Sequence, residues 1–270
     1  MLQLNRYSAV LFDMDGVLYR GNERLPGVNE LLGLLEARGI AYACLTNNAT
    51  MTPAQFEAKL AAMGVRIPAA RIITSPVATR RYLEEQFPRG TPAYFIGEEG
   101  LRAALFDDGY FVYDERRPAV VVVGLDTQAT YAKFRIATLA IRAGARFVGT
   151  NADRTLPTEA GLVPGAGSLL ALIEAATDVR PTVIGKPAPA MYLIAIELLG
   201  ATPARTLAVG DRLDTDIAGA VAAGIDSALV LTGVTTRADL AASALQPTAV
   251  FADLPELAAA WRAAAPDRDG

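Results

Sequence analysis

Ala9-Val10-Leu11-Phe12-Asp13-Met14-Asp15-Gly16-Val17-Leu18 is an apolar run that ends in two carboxylates and a turn. Apolar residues without a polar break read as a strand buried on both faces, as in a parallel sheet. Asp13 stands at the carboxyl end of that strand, Asp15 follows two residues later, and Gly16 lets the chain turn sharply. Open α/β sheets bind ligands at the carboxyl ends of their central strands. Packing alone has no use for acids there, although Asp and Gly together also make an ordinary acidic turn.

Outward from this stretch, strands and helices alternate. Val28 to Arg38 has apolar residues at helical spacing, with Gly39 as its stop. Ile40 to Leu45 reads as a second buried strand running into Thr46-Asn47-Asn48. Thr52 and Pro53 then open a helix. A strand end at Ile72 to Ser75 and a helix from Pro76 to Phe87 follow. Pro88-Arg89-Gly90-Thr91-Pro92 breaks the chain, and a new alternation begins. Its strands are expected at 93–96, 119–123 and 146–149, and its helices at 98–106, 131–143 and 168–176. Thr150 to Gly167 reads as a long loop, and loops of that length inside a compact unit are usually functional. Thr182 to Pro187 is a short strand leading into a loop, followed by a helix at 189–199. A strand at 206–209 runs into Gly210-Asp211-Arg212-Leu213-Asp214-Thr215-Asp216. The pattern predicts an α/β protein with a doubly wound, Rossmann-like parallel sheet. That core is expected at 1–78 plus 181–270, with a second α/β domain inserted at 79–180.

Composition narrows the chemistry. The 270 residues are 52% hydrophobic and 20% charged, a globular balance. A net charge of −4 gives no reason to expect nucleic acid or an anionic membrane as partner. No apolar run reaches the roughly 18 residues of a membrane span, and no signal segment is expected. The single cysteine, Cys44, lies inside an apolar run and reads as a core residue. One thiol makes no internal disulfide, so a cytoplasmic location is expected. Histidine is absent, which excludes histidine-based triads and histidine-ligated zinc. Acid–base work near neutral pH then falls to carboxylates, lysine, tyrosine, cysteine, metal-bound water or the amino terminus.

Four polar clusters each follow an apolar strand: Asp13 with Asp15, Thr46 with Asn47 and Asn48, Lys186, and Asp211 with Asp214 and Asp216. In a doubly wound sheet such strand ends open on one edge. Each cluster alone has an ordinary explanation as a turn, a surface lysine or a helix cap. Together they make one site. Acids converging from two strands repel unless a cation lies among them, and oxygen-only ligands point to a hard ion, Mg2+ first. A lysine with hydroxyl and amide donors beside Mg2+ suits a phosphoryl group. Neither a P-loop nor a dinucleotide-binding glycine motif is present.

The set resembles the four motifs of the haloacid dehalogenase (HAD) superfamily in order: Asp13-Met14-Asp15-Gly16-Val17, Thr46-Asn47, Lys186-Pro187, and Gly210-Asp211 with Asp216. Tyr19-Arg20-Gly21, Leu45-Thr46-Asn47-Asn48 and the large insert between the second and third motifs resemble its NagD-like, 4-nitrophenylphosphatase branch (subclass IIA). The match covers residues 9 to 231, with Val17 where the wider superfamily often has threonine. The resemblance implies a HAD core with an inserted α/β cap, and Mg2+-dependent hydrolysis of small phosphomonoesters through an aspartyl-phosphate. The expected substrates are sugar phosphates, nucleoside monophosphates or phosphoglycolate, with 4-nitrophenyl phosphate as an artificial one. It implies Asp13 as nucleophile, Asp15 as acid and base, and Lys186 as the catalytic charge that positions Asp13. Thr46, Asn47, Asn48 and Lys186 would bind the phosphoryl group. Asp13, Asp15 (through its carbonyl), Asp211 and Asp216 would form the metal site, with Asp214 as the alternative to Asp216. The implied partner is a small phosphorylated metabolite, and related proteins often form homodimers through the cap. A phosphomutase, or an idle binder of phosphorylated metabolites, are the competing readings. Related mutases carry a small helical cap, and simple binding needs no Asp15.

Overall fold

In a computed structural model the chain is described over residues 3–158 and 160–264. The elements run in this order. Strand β1 (Ala9–Asp13) leads through a two-strand hairpin, β2 (Tyr19–Arg20) and β3 (Glu23–Arg24), to helix α1 (Val28–Ala37). Then come β4 (Ala41–Thr46), α2 (Pro53–Ala62), β5 (Ile72–Thr74), α3 (Ser75–Glu84), β6 (Pro92–Ile96), α4 (Glu99–Phe106) and β7 (Val112–Tyr113). Strands β8 (Val120–Val123), β9 (Arg146–Gly149), β10 (Thr155–Thr158), β11 (Gly161–Pro164) and β12 (Thr182–Val183) follow, with α5 (Tyr131–Arg142) after β8 and α6 (Ala166–Thr177) after β11. The chain closes with α7 (Ala190–Leu198), β13 (Thr206–Gly210), α8 (Ala218–Ala222), β14 (Asp226–Val230), α9 (Arg237–Ala242), β15 (Ala249–Phe251) and α10 (Leu254–Ala263).

The described chain forms two compact units. Among the described residues the first comprises 3–46, 54–73 and 186–264; the second comprises 47–53, 74–158 and 160–185. The first is built on a six-stranded sheet in the order β15-β14-β13-β1-β4-β5. Strand β1 lies between β13 and β4 and is parallel to both, with Phe12 opposite Val209 and Asp13 opposite Leu45. Ala9 to Phe12 and Leu207 to Val209 are buried along their length, as strands covered on both faces must be. Each large apolar side chain fully buried this way contributes about 1.5–3 kcal/mol.

The second unit carries a five-stranded sheet in the order β12-β9-β8-β6-β7. Its centre, Val120 to Val123, is completely buried, and Tyr94, Ile96, Phe147, Ala137, Ile141, Leu170 and Ile173 pack with it. The short strand before Lys186, β12, pairs here with β9, Thr182 opposite Val148, and not with the β1 sheet. Two residues are too short a run for the sequence to say which sheet they join.

The stretch expected as a loop at 150–167 holds an antiparallel hairpin, with Leu156 opposite Val163 and Thr158 opposite Gly161. Its side chains are mostly exposed, so it lacks the apolar alternation that announces a strand. Gly161, at φ +118°, supplies the turn. The strands β2 and β3 and the helix α9 were also not expected. Two-residue strands carry no period, and α9 has no buried residue to mark a face. Helix α9 is held by a capping box in which Thr236 and Asp239 bond each other's backbone.

Candidate active site

Asp13, Thr46 and Asp211 leave or follow three neighbouring parallel strands, β1, β4 and β13, at the same edge of the sheet. Topology alone therefore gathers three of the four clusters. The turn after β1 is tight: the Gly16 N–H donates to the Tyr19 carbonyl at 2.7 Å, and Leu18 N–H to the Met14 carbonyl at 2.8 Å. Gly16 has φ +86°, and a Cβ there would come within 2.7 Å of the Asp211 carboxylate. The glycine is thus required twice, for the backbone conformation and for the approach of Asp211. Within this turn the Asp13 side chain is 14% exposed and Asp15 is exposed.

Lys186 is buried, and its ammonium holds the acids together. It donates to Asp13 Oδ1, to Asp216 Oδ1 at 2.7 Å, and at 3.5 Å to the Leu45 carbonyl just before Thr46. Asp216 Oδ2 accepts from the N–H groups of Asp211 at 3.1 Å and Arg212 at 3.0 Å. Both oxygens of Asp216 are therefore engaged, one by the lysine and one by the turn after β13. Asp216 braces this turn; Asp214, with a 68% exposed side chain, pairs outward with Arg212 at 2.8 Å. A single π-helical turn, Leu213–Ile217, sets the two acids on different sides.

Asp211 differs from its neighbours. Its Oδ2 accepts from the Val234 N–H at 2.7 Å. Its Oδ1 is buried and meets no hydrogen-bond donor among the described residues. Burial pushes Asp211 up to about 6, with the Asp216 charge adding to it. Burial, opposed by Lys186 and reinforced by Asp216 and Asp211, pushes Asp13 up to about 8. Burial works against the charged form of Lys186 too, but Asp13 and Asp216 outweigh it and hold the ammonium well above the usual lysine range. One ammonium does not balance three carboxylates. Carboxylate oxygens of Asp13, Asp211 and Asp216 lie within 4.8 Å of one another. An all-oxygen cluster with excess negative charge and one unclaimed buried oxygen fits a hard divalent cation.

Asn47 and Asn48 belong to the second unit. The Asn47 carbonyl accepts from Ser75 Oγ at 2.7 Å and from Asn151 Nδ2 at 2.8 Å, and its amide donates to Asp153 at 3.2 Å. Asn48 Oδ1 accepts from Thr50 N–H at 2.9 Å, Thr50 Oγ1 at 3.0 Å and Met51 N–H at 3.2 Å. That oxygen organises its own turn, the ordinary use of asparagine.

Sequence reasoning missed several residues. The buried Tyr192 donates its hydroxyl to the Asp216 carbonyl at 3.0 Å. The segment after β14 bonds Asp211 twice, through Val234 N–H and, at 3.2 Å, Thr235 N–H to the Asp211 carbonyl. Its signal was available: Thr232-Gly233 follows an apolar strand just as the four clusters do. Lys59 and Lys133 are engaged as well. Lys59 lies over the Tyr19 ring at 4.3 Å, and Lys133 pairs at 2.6 Å with the buried Asp126.

A haloacid dehalogenase-like hydrolase family model matches residues 10–111, and a second HAD-hydrolase-like model matches 183–257. The chain is 39% identical over 253 residues to an acid sugar phosphatase of Staphylococcus aureus, covering 94% of this chain and 97% of that protein. The chain belongs to the haloacid dehalogenase-like hydrolases. Within them it falls in the NagD-like branch and is a phosphoric monoester hydrolase. Its structure matches a 4-nitrophenylphosphatase from Thermotoga maritima at a TM-score of 0.91 and 35% identity, over 98% of this chain and all of that one. It also matches a glycerol phosphate phosphatase from Mycobacterium tuberculosis, solved in complex with magnesium. That TM-score is 0.86 at 35% identity, over 94% of this chain and 78% of that one. The HAD phosphatases are metal-dependent, in keeping with the acidic cluster.

Proposed function

We propose that this phosphatase hydrolyses small phosphomonoesters, sugar and polyol phosphates foremost, with Mg2+ as its cofactor and an aspartyl-phosphate at Asp13 as its intermediate. The observation that carries the reading is the partly buried Asp13 at the end of β1, tied to Lys186 and clustered with Asp211, whose Oδ1 is unclaimed. The names of the relatives support the substrate class: an acid sugar phosphatase and a glycerol phosphate phosphatase.

A carboxylate oxygen of Asp13 attacks phosphorus while the ester oxygen leaves. Asp15, on the exposed side of the same turn, gives its proton to the departing alkoxide. It then takes a proton from the water that attacks the acyl phosphate, which returns Asp13 as carboxylate and releases inorganic phosphate. Lys186 fixes Asp13 and offsets the charge gathering on the phosphoryl oxygens, for which Thr46 and Asn47 supply donors. Asp13, the Asp15 carbonyl and Asp211 would hold Mg2+, which supplies neutralising charge. Asp216 takes the supporting role, because its oxygens are already bonded. We assign substrate selection to the inserted unit and a cytoplasmic location to the enzyme, whose single cysteine is buried and unpaired.

The test is release of inorganic phosphate from 4-nitrophenyl phosphate and a panel of sugar and glycerol phosphates, with Mg2+ and with chelator. Release that requires Mg2+ is expected; release undiminished in chelator refutes the metal assignment.

A further inference from the structure

We infer that the segment Thr232-Gly233-Val234-Thr235 is a positioning element of the cation site: it takes one oxygen of Asp211, leaves the other for the ion, and anchors this arrangement to the turn that carries Asp13. The inference rests on the cation site proposed above. It assigns to residues outside the four motifs the task of deciding which Asp211 oxygen is available.

Five hydrogen bonds, each with a backbone group at one end, converge on this tetrapeptide. The Val234 N–H donates to Asp211 Oδ2 at 2.7 Å, which leaves Oδ1 as the buried oxygen without a donor. The Thr235 N–H donates to the Asp211 carbonyl at 3.2 Å, so both ends of the aspartate are held by one segment. Thr235 Oγ1 accepts from the Leu213 N–H at 3.3 Å, which ties the segment to the turn beyond Asp211. Thr232 Oγ1 donates to the Gly16 carbonyl at 2.6 Å, and the Arg20 guanidinium donates to the Thr232 carbonyl. The segment therefore joins the β1 turn, the β2–β3 hairpin and the β13 turn, all within the first unit.

Gly233 makes the close approach possible. A Cβ on it would overlap the Asp211 carboxylate itself. A carboxylate has two equivalent oxygens and rotates freely at little cost. Fixing one with a backbone N–H orients the other, and groups that orient a metal ligand typically govern metal affinity by about ten- to hundredfold. Thr232 is the side chain through which this can be tested, because its hydroxyl touches neither phosphoryl-binding group nor carboxylate.

Mg2+ binding is measured by isothermal titration calorimetry without substrate, on the full chain and on Thr232→Val, Thr232→Ser, Gly233→Ala and Asp211→Asn. Thr232→Val keeps the shape and removes the donor, and its Kd is expected to rise about tenfold. Thr232→Ser restores the donor and stays within about twofold of the parent. Gly233→Ala displaces Asp211 and loses binding. Saturating Mg2+ should return kcat of Thr232→Val toward the parent value, which a general loss of structure would not allow. Wild-type Mg2+ affinity in a folded Thr232→Val protein overturns the inference, whether or not Gly233→Ala folds. Wild-type affinity in Asp211→Asn overturns instead the cation site on which it rests.

Discussion

At the residue scale, the site depends on charges that water would ordinarily screen. Asp13→Asn preserves volume but removes the attacking oxygen, so turnover of 4-nitrophenyl phosphate should fall below detection while the far-UV spectrum stays unchanged. Turnover without deamidation, checked by mass spectrometry, would remove Asp13 as nucleophile. The three lysines separate by environment. Lys186→Ala strips Asp13 and Asp216 of a buried donor and should cost about 10²–10³ in kcat. Lys133→Ala should leave kinetics alone and lower stability by about 1–3 kcal/mol, because it leaves the Asp126 carboxylate buried with one partner fewer. The upper end is not expected, since Lys133 is partly exposed and Asp126 still accepts from the Gln128 N–H. Kinetics and melting temperature of the two variants, measured side by side, check the contrast. The sequence could show that Lys186 stood after a strand. It could not show that Asp126 needed Lys133, because that pairing depends on the fold of the 124–130 turn.

At the element scale, what was legible follows from periodicity. Strands β1, β4, β8 and β13 are continuous apolar runs and were read directly, as were the helices α1, α5 and α7. The strands β2, β3, β10 and β11 were not, because short exposed hairpins bury too little to leave a pattern in composition. The β10–β11 hairpin bears on function through its neighbours. Gly165 and Gly167 pack so closely on the Asp153 and Ala152 carbonyls that a Cβ on either would overlap them. The hairpin is therefore clamped to the segment that holds Asn47 through Asn151 and Asp153. Exchanging residues 155–164 for another hairpin should shift kcat/KM ratios across a panel of phosphomonoesters while leaving the Mg2+ requirement unchanged. Unchanged ratios would place specificity elsewhere, the β2–β3 hairpin being the next candidate.

At the scale of the whole molecule, the chain passes between its two units at 46/47, 53/54, 73/74 and 185/186. One of these crossings splits Thr46-Asn47 and another falls just before Lys186, so a short strand running straight toward Lys186 carries no sign in the sequence that it belongs to the other sheet. Concentrating acids in the first unit also couples its stability to pH and to the cation. Asp13 and Asp211 sit at about 8 and about 6 in the fold, above the range near 4 that they have when unfolded. A carboxyl raised by folding binds more protons in the native state than in the unfolded one. Its contribution to stability is then complete at pH below 4 and is lost as pH rises through the folded value. With chelator present, the melting temperature should therefore fall between about pH 5 and pH 8 from these two groups. Mg2+ binds the ionised carboxylates and displaces their protons, so its affinity should rise over the same interval and the fall should flatten at saturating Mg2+. Thermal unfolding at pH 5, 6, 7 and 8, with chelator and with Mg2+, gives the comparison. Asp211→Asn should shrink the difference between the two series, because it removes both a raised carboxyl and the oxygen left open for the ion. Parallel curves for the parent enzyme, separated by a constant offset, would mean that the acids at the end of β1 and β13 do not exchange protons for the cation.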